Sequence, residues 1–173
     1  MVIPVIRELE SSSEYEYDVL ALTTACSDME QEGIPYKSFK DFPISDEARA
    51  YGERLLSETQ QSGRISVEET VAYLGASFEE LALSLGAEKA RAKYCEHGRR
   101  AFLPVKFLER VISSDNSHLV VSTNSPRAEQ ASIVAAQNLG IPTLCMVDLG
   151  ISVNQIPWIV KPGFGDKICV LSN

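Results

Sequence analysis

The chain has 173 residues, of which 45% are hydrophobic and 23% charged, and its formal net charge at pH 7 is −8. This length and composition are typical of one globular domain with room for a sizeable core. The acidic balance argues against nucleic acid and anionic membrane surfaces as partners. No stretch approaches the ~20 apolar residues of a membrane span, and no secretory leader pattern opens the chain, so we expect a cytoplasmic protein.

The four cysteines are widely spaced and form no paired ligand motif. We expect free thiols in a reducing compartment, with Cys145 and Cys169 packed as small hydrophobes inside strands. Because the chain has only two histidines, His97 and His118, we expect no metal site. No cofactor is expected either.

The first forty residues predict a helix followed by two strands. Val5, Ile6 and Leu9 give one apolar helical face, which the serines at 11–13 interrupt. A buried strand is expected over Asp18–Thr23, then a short helix or turn over 26–33. A further strand is expected over Ile34–Phe39, near a sheet edge because of Pro35.

Residues 45–113 predict a long helical insertion. Ser45 precedes two acidic residues where a helix cap is expected, and the serines at 66 and 77 each precede a glutamate by three residues, as in a capping box. The helices expected after the one that Ser45 begins are Val67–Leu74, Phe78–Leu85, Ala87–Glu96 and Phe102–Ser113.

A strand, a helix and a second strand are predicted between His118 and Val147. The first strand covers 118–122, Ser125 is expected to cap the helix, and Pro126 suits its first turn. The helix covers Arg127–Leu139, and Thr143–Val147 forms the next strand. This order is that of a parallel βαβ unit.

A last strand is predicted over Lys167–Leu171. Before it lies the apolar run Ile156–Val160, which holds the only tryptophan, Trp158. Its ring suits either stacking on a base or sugar, or packing in the core.

Alternating strands and helices predict an α/β fold, with a mostly parallel Rossmann-like sheet, helices on both faces and the helical insertion 45–113 in a single domain spanning 1–173. Ligands of such sheets bind at the carboxyl ends of the strands. The residues expected there, and so expected to bind substrate, are Thr23, Thr24, Ser122, Thr123, Asn124, Ser125, Arg127 and Asp148.

Two of these positions support alternative roles. The helix start after Ser125 suits an anion such as phosphate, or Ser125 caps the helix and Asn124 accommodates a strained turn. Asp148 either binds a ribose hydroxyl or acts as a base, or it caps the following loop. The chain lacks the glycine-rich motifs of dinucleotide oxidoreductases and nucleoside triphosphatases and the serine motif of the α/β-hydrolases.

The segment VVSTNSPRAEQASIVAAQNLGIPTLCMVDL, with GDKICVLSN after it and IPVIRELESSSEYEYDVLALTT at the start, resembles the amino-terminal domain of GT-B-type proteins. These are the nucleotide-sugar glycosyltransferases and the UDP-N-acetylglucosamine 2-epimerase relatives. The resemblance implies the acceptor-side domain of a glycosyltransferase-like enzyme of polysaccharide biosynthesis, with a nucleotide sugar or sugar acceptor as ligand.

Two parts of the family pattern are not found in the sequence. The family's first strand and glycine-rich loop are absent ahead of Val2, and its carboxy-terminal domain would begin after Asn173. We therefore expect half of a two-domain protein, inactive alone, with an incomplete sheet that favours homo-oligomers. The alternatives are a non-catalytic binding or interaction domain of the same fold and a fragment of a sugar-nucleotide epimerase.

Overall fold

The structure is a computed structural model, and it describes residues 2–58, 65–147, 158–159 and 161–170. Within these ranges the fold is α/β, with seven α-helices and one parallel three-stranded sheet, as the Rossmann-like class predicts. The helices are α1 (Val2–Ser11), α2 (Thr24–Glu32), α3 (Asp46–Ser57), α4 (Val67–Leu85), α5 (Ala87–His97), α6 (Val105–Ser114) and α7 (Ala128–Asn138). The strands are β1 (Val120–Thr123), β2 (Thr143–Val147) and β3 (Lys167–Val170), and short 3-10 turns cover Phe39–Asp41 and Gly98–Ala101.

The chain forms two compact units, which are described one at a time. The sheet unit consists of Met1–Ile6 and Lys93–Asn173, and the helical unit consists of Arg7–Ala92. Among the described residues, no helix has both the length and the apolar character needed to cross a membrane.

The sheet unit contains the predicted βαβ arrangement. The strands lie in the order β1-β2-β3 and are all parallel, with Ser122 beside Cys145 and Cys145 beside Ile168. Helix α7 joins β1 to β2 and packs on both strands, and α6 packs on α7. The cluster beneath the sheet contains Ile133, Cys145, Trp158 and Ile159, with Val147 and Phe164 against it. Trp158 is therefore a core residue, with its ring centroid 4.9 Å from that of Phe164.

A polar clamp joins the starts of β2 and β3. The Asp166 carboxylate accepts hydrogen bonds from the Thr143 backbone N–H and hydroxyl, both at 2.8 Å, and the Asp166 N–H donates to the Thr143 hydroxyl at 2.9 Å. The hydroxyl bond and then the backbone bond hold the pKa of Asp166 below its usual value. The clamp fixes β3 at the sheet edge although all four of its side chains are exposed.

Three predictions in the sheet unit are wrong in detail. Helix α7 begins at Ala128, and Arg127 occupies the cap position without a side-chain cap bond, so Ser125 and Pro126 lie outside the helix. Helix α6 begins at Val105 because Pro104 disfavours helical backbone in the residue before it. Cys169 is exposed because neither face of β3 is covered in the described part of the chain, whereas Cys145 is buried as expected.

The helical unit is built on a close contact between α3 and α4. A Cβ atom on Gly52 would lie 2.1 Å from the Val71 carbonyl oxygen, and one on Gly75 would lie 2.1 Å from the Ala48 carbonyl oxygen. Only glycine permits these helix backbones to approach so closely. As predicted, Ser45 caps α3 by accepting the Ala48 N–H at 2.9 Å.

The predicted break at Ser77 is wrong, because α4 runs unbroken from Val67 to Leu85. Ser77 lies in its interior and is 1% exposed. The residues on either side, Ala76 and Phe78, are also buried, so packing holds this segment helical although its sequence matches a cap. At the other predicted box, Ser66 does cap the helix, by accepting the Glu69 N–H at 3.0 Å.

The predicted strands 18–23 and 34–39 are not strands of the sheet. They meet in one isolated parallel bridge, Leu20 to Lys37. The Ala21 N–H donates to the Lys37 carbonyl at 2.9 Å, and the Lys37 N–H donates to the Val19 carbonyl at 2.8 Å. The pairing stops there because the chain turns sharply at Thr23, with φ of 52°, and because Pro35 has no N–H to donate.

Candidate functional site

The predicted site residues fall into three groups. Ser122, Thr123, Asn124, Ser125 and Arg127 follow one another at the carboxyl end of β1 in the sheet unit. Thr23 and Thr24 belong to the helical unit, where they begin α2. Asp148 lies outside the described residues. The first group forms the candidate site, which we call the β1 turn (residues 122–127).

The β1 turn starts from a buried hydroxyl. The Ser122 side chain is 7% exposed and lies near the carbonyl oxygens of Glu129, at 3.1 Å, and Thr123, at 3.3 Å. It thus ties the end of β1 to the first turn of α7. The Cys145 thiol approaches the Thr123 carbonyl at 3.8 Å, so this carbonyl also contacts the neighbouring strand. The side chain of Asn124 is buried as well.

The turn reaches α7 through a strained backbone. Arg127 has φ of 80° and ψ of −110°, a conformation that a residue with a side chain rarely adopts. Such strain costs on the order of 1–3 kcal/mol and is concentrated at binding and catalytic sites. Here it follows Pro126 and brings the chain directly from the turn into the first turn of α7.

Glu129, in that first turn, is a site residue that the sequence did not reveal. Burial raises the pKa of its carboxyl, while its own backbone N–H, the Arg127 guanidinium and the Ser125 hydroxyl favour the charged form. The carboxylate therefore lies where a phosphate would approach the helix start. The only sequence signal for Glu129 was its place in the first turn of a helix. Acidic residues are common there in ordinary helices, so the signal does not identify a site.

The β1 turn combines hydrogen-bond donors and acceptors. Its hydroxyl, amide, guanidinium and carboxyl groups lie within eight residues, so it can pair with a ligand that carries hydroxyl groups. A phosphate placed at the start of α7 would be repelled by the Glu129 carboxylate. Among the described residues, no group of three or more His, Cys, Asp or Glu side chains is placed to hold a metal ion.

In the helical unit, Thr23 lies beside a buried carboxyl that the sequence also did not reveal. Thr23 has φ of 52° and ψ of −115°, a strained turn between the Leu20 bridge and α2. Its backbone N–H lies near the Glu69 carboxyl and favours the charged form of that group. Glu69 is 2% exposed although it belongs to the first turn of α4, where glutamate is ordinarily solvated.

The chain was compared with known families, curated proteins and solved structures. None of the three comparisons finds a match.

Proposed function

We propose that the β1 turn binds a sugar, presented as a nucleotide sugar or as a sugar acceptor, and that the chain serves as the acceptor-side domain of a GT-B-like glycosyltransferase. The observation that carries this proposal is the half-buried Glu129 carboxyl beside the Ser125 hydroxyl, at the carboxyl end of a parallel strand. Ligands of parallel α/β sheets bind at this end. The GT-B resemblance of residues 120–149 supports the same choice of ligand.

Glu129 has a specific role in this proposal. Burial raises the pKa of its carboxyl, which brings it closer to the pH at which a general base is effective. The carboxylate accepts a hydrogen bond from an acceptor hydroxyl. In a complete enzyme it takes the proton as the hydroxyl oxygen attacks the anomeric carbon of the nucleotide sugar and the nucleoside diphosphate leaves. On the turn side, the Arg127 guanidinium and the Ser125 hydroxyl both favour the charged form of Glu129.

The test is a thermal-shift titration of the chain with uridine, cytidine and guanosine sugar nucleotides, the corresponding nucleoside diphosphates and the free sugars. A ligand that binds the native state raises its stability by mass action. We expect saturable stabilisation by at least one sugar-containing ligand. We also expect Glu129→Gln to weaken that ligand by about tenfold or more, because a hydrogen bond to a charged group is lost.

The matched control is Glu88→Gln, which changes an exposed glutamate in the first turn of α5. This variant is expected to bind like the unmodified chain. Stabilisation by the nucleoside diphosphates but not by any sugar would indicate a phosphate-binding site and contradict sugar binding at the β1 turn. Equal stabilisation of the Glu129→Gln and Glu88→Gln variants by the ligand would also contradict the proposal.

A further inference from the structure

The Glu69 carboxyl occupies an unusual position for an acidic side chain. Its Oε2 accepts the Lys40 backbone N–H at 3.1 Å, which joins α4 to the 3-10 turn Phe39–Asp41. Its Oε1 is buried and has no hydrogen-bond partner in the part of the chain that the structure describes. In a capping box this carboxyl would accept the Ser66 N–H. Here it instead accepts the Lys40 N–H of the 3-10 turn.

The polar neighbours of Glu69 only partly satisfy a charge. The Thr23 N–H and the Ser38 hydroxyl both favour the ionised carboxyl. The Ser38 hydroxyl, however, also lies 3.0 Å from the Asp41 carboxylate, which accepts the Ser38 N–H at 2.7 Å as well. A hydroxyl has one proton to donate, so its bond to Asp41 competes with one to Glu69.

The charged groups around Glu69 give little compensation. Lys40 favours the ionised form, but its side chain is exposed. On the α2 side, burial and then the Glu69 charge raise the pKa of the Cys26 thiol to about 11, so this thiol is neutral. On the α3 side, Arg49 and Glu53 line a groove with Glu68. Glu68 is about 100° away from Glu69 around α4.

The balance of these contacts favours the protonated carboxyl more than water does. Burial is the largest influence on Glu69 and raises its pKa above the usual 4.5. An ionised carboxylate with one buried oxygen lacking a donor is costly, whereas a protonated carboxyl costs less in a dry site. Opening of the contact between α4 and the 3-10 turn would return the ionised group to water.

We propose that Glu69 is a pH-dependent latch: the helical unit holds the carboxyl with its proton bound, and loss of the proton favours local separation of α4 from the turn at Phe39–Asp41. The latch lies in the helical unit, whereas the β1 turn belongs to the sheet unit. It couples the packing of the helical unit to pH.

The direction of the effect follows from proton linkage. Because the folded state holds the proton more tightly than the unfolded chain, the stabilisation is fully present below pH 4.5 and is lost as pH rises through the folded pKa. One coupled proton changes the opening equilibrium by up to about tenfold per pH unit within that window. Ordinary acidic residues, whose pKa is lowered by folding, have the opposite effect.

The experiment is amide hydrogen exchange of the whole chain between pH 4 and pH 8, with each rate divided by its intrinsic rate to give a protection factor. The reporter is the Lys40 amide, which donates to Glu69. We expect its protection factor to fall with rising pH in the unmodified chain. In Glu69→Gln, which has a neutral side chain of the same shape, the factor is expected to stay flat.

Glu68→Gln is the matched control, because it removes the adjacent and exposed carboxyl of the same helix. This variant is expected to keep the pH dependence of the unmodified chain. Protection that is flat or rises with pH in the unmodified chain would overturn the proposal, as would the same fall in Glu69→Gln.

A second measurement serves if Glu69→Gln fails to fold. Carbon-13 NMR of the glutamate carboxyl carbons, recorded on the unmodified chain, follows the ionisation of Glu69 directly. The latch requires a midpoint above 4.5, and a midpoint at or below 4.5 contradicts it.

Discussion

At the residue scale, the Asp166 clamp joins the start of β3 to the start of β2. One carboxylate oxygen accepts both the N–H and the hydroxyl of Thr143, while the hydroxyl receives the Asp166 N–H. Three hydrogen bonds thus fix the start of an edge strand whose side chains are all exposed. The clamp therefore adds side-chain bonds to the backbone pairing that joins β3 to β2 from Lys167 onwards.

We expect Asp166→Asn to lower the urea midpoint of unfolding at pH 7 and to flatten the acid side of the stability profile. Folding lowers the pKa of Asp166, so its stabilisation is present above the usual 3.8 and is lost as pH falls through the folded pKa. Trp158 lies in the same unit and is the only tryptophan, so its fluorescence reports this unfolding.

Asp28→Asn, an exposed position in α2, is the control for this prediction. It is expected to leave both the midpoint and the acid profile unchanged. An Asp166 variant as stable as the unmodified chain at pH 7 would show that the clamp does not hold β3.

At the element scale, the α3–α4 pair depends on two glycines. We expect Gly75→Ala to destabilise the protein by about 2 kcal/mol or more, because the new Cβ would meet the Ala48 carbonyl at 2.1 Å and backbone must move. At an exposed helix position the same change stabilises by about 1 kcal/mol. The sign of the change in unfolding free energy, measured by circular dichroism in urea, therefore distinguishes a close contact from an open one.

Ser84→Ala, at an exposed position near the end of α4, is the control and is expected to change stability by no more than about 0.5 kcal/mol. A Gly75→Ala variant that is more stable than the unmodified chain would contradict the close approach of the two helices.

The same elements show what local patterns can and cannot predict. The prediction of a strand over Thr143–Val147 is confirmed at both ends. A short apolar run that begins with a β-branched residue and follows Gly140 is typical of a buried strand. Ser45 and Ser77 precede similar acidic pairs, yet only Ser45 begins a helix, because burial against α3 keeps Ser77 in the interior of α4. A cap motif therefore predicts a helix start only where the preceding residues are not packed as part of a longer helix.

The candidate site was predictable only in part for the same reason. The turn after β1 followed from its polar residues at a strand end, but Glu129 and Glu69 required the fold. Each stands in a first helical turn, where sequence gives no measure of burial. Burial is the largest cause of both pKa shifts. For Glu69 it depends on contacts with residues distant in sequence, such as Lys40, which is 29 residues away.

At the scale of the whole molecule, the chain divides into a continuous helical unit and a sheet unit assembled from two segments. The helical unit has its own core, in which the Phe39 and Tyr73 rings meet edge to face at 5.4 Å and the Tyr51 and Phe78 rings lie 4.8 Å apart. Its residues are consecutive in the chain.

We therefore expect a fragment of residues 7–92 to fold alone. It should show a helical circular dichroism spectrum and a cooperative urea transition, since a compact unit with its own core meets the requirements of an independent domain. The Gly75→Ala fragment is the control and should unfold at lower urea. A gradual, non-cooperative loss of helix in the unmodified fragment would show that the unit depends on the rest of the chain.

The sheet unit has a consequence for synthesis on the ribosome. Its first residues, Met1–Ile6, leave the ribosome long before Lys93 and the residues that follow, with which they form one compact unit. Chains fold from the amino terminus as they emerge. The apolar face around Ile6 therefore lacks its partners in the sheet unit until the whole helical unit has been synthesised. A pause in translation between residues 7 and 92 would therefore lengthen the time for which this face lacks its partners in the sheet unit, before any strand of that unit has been translated.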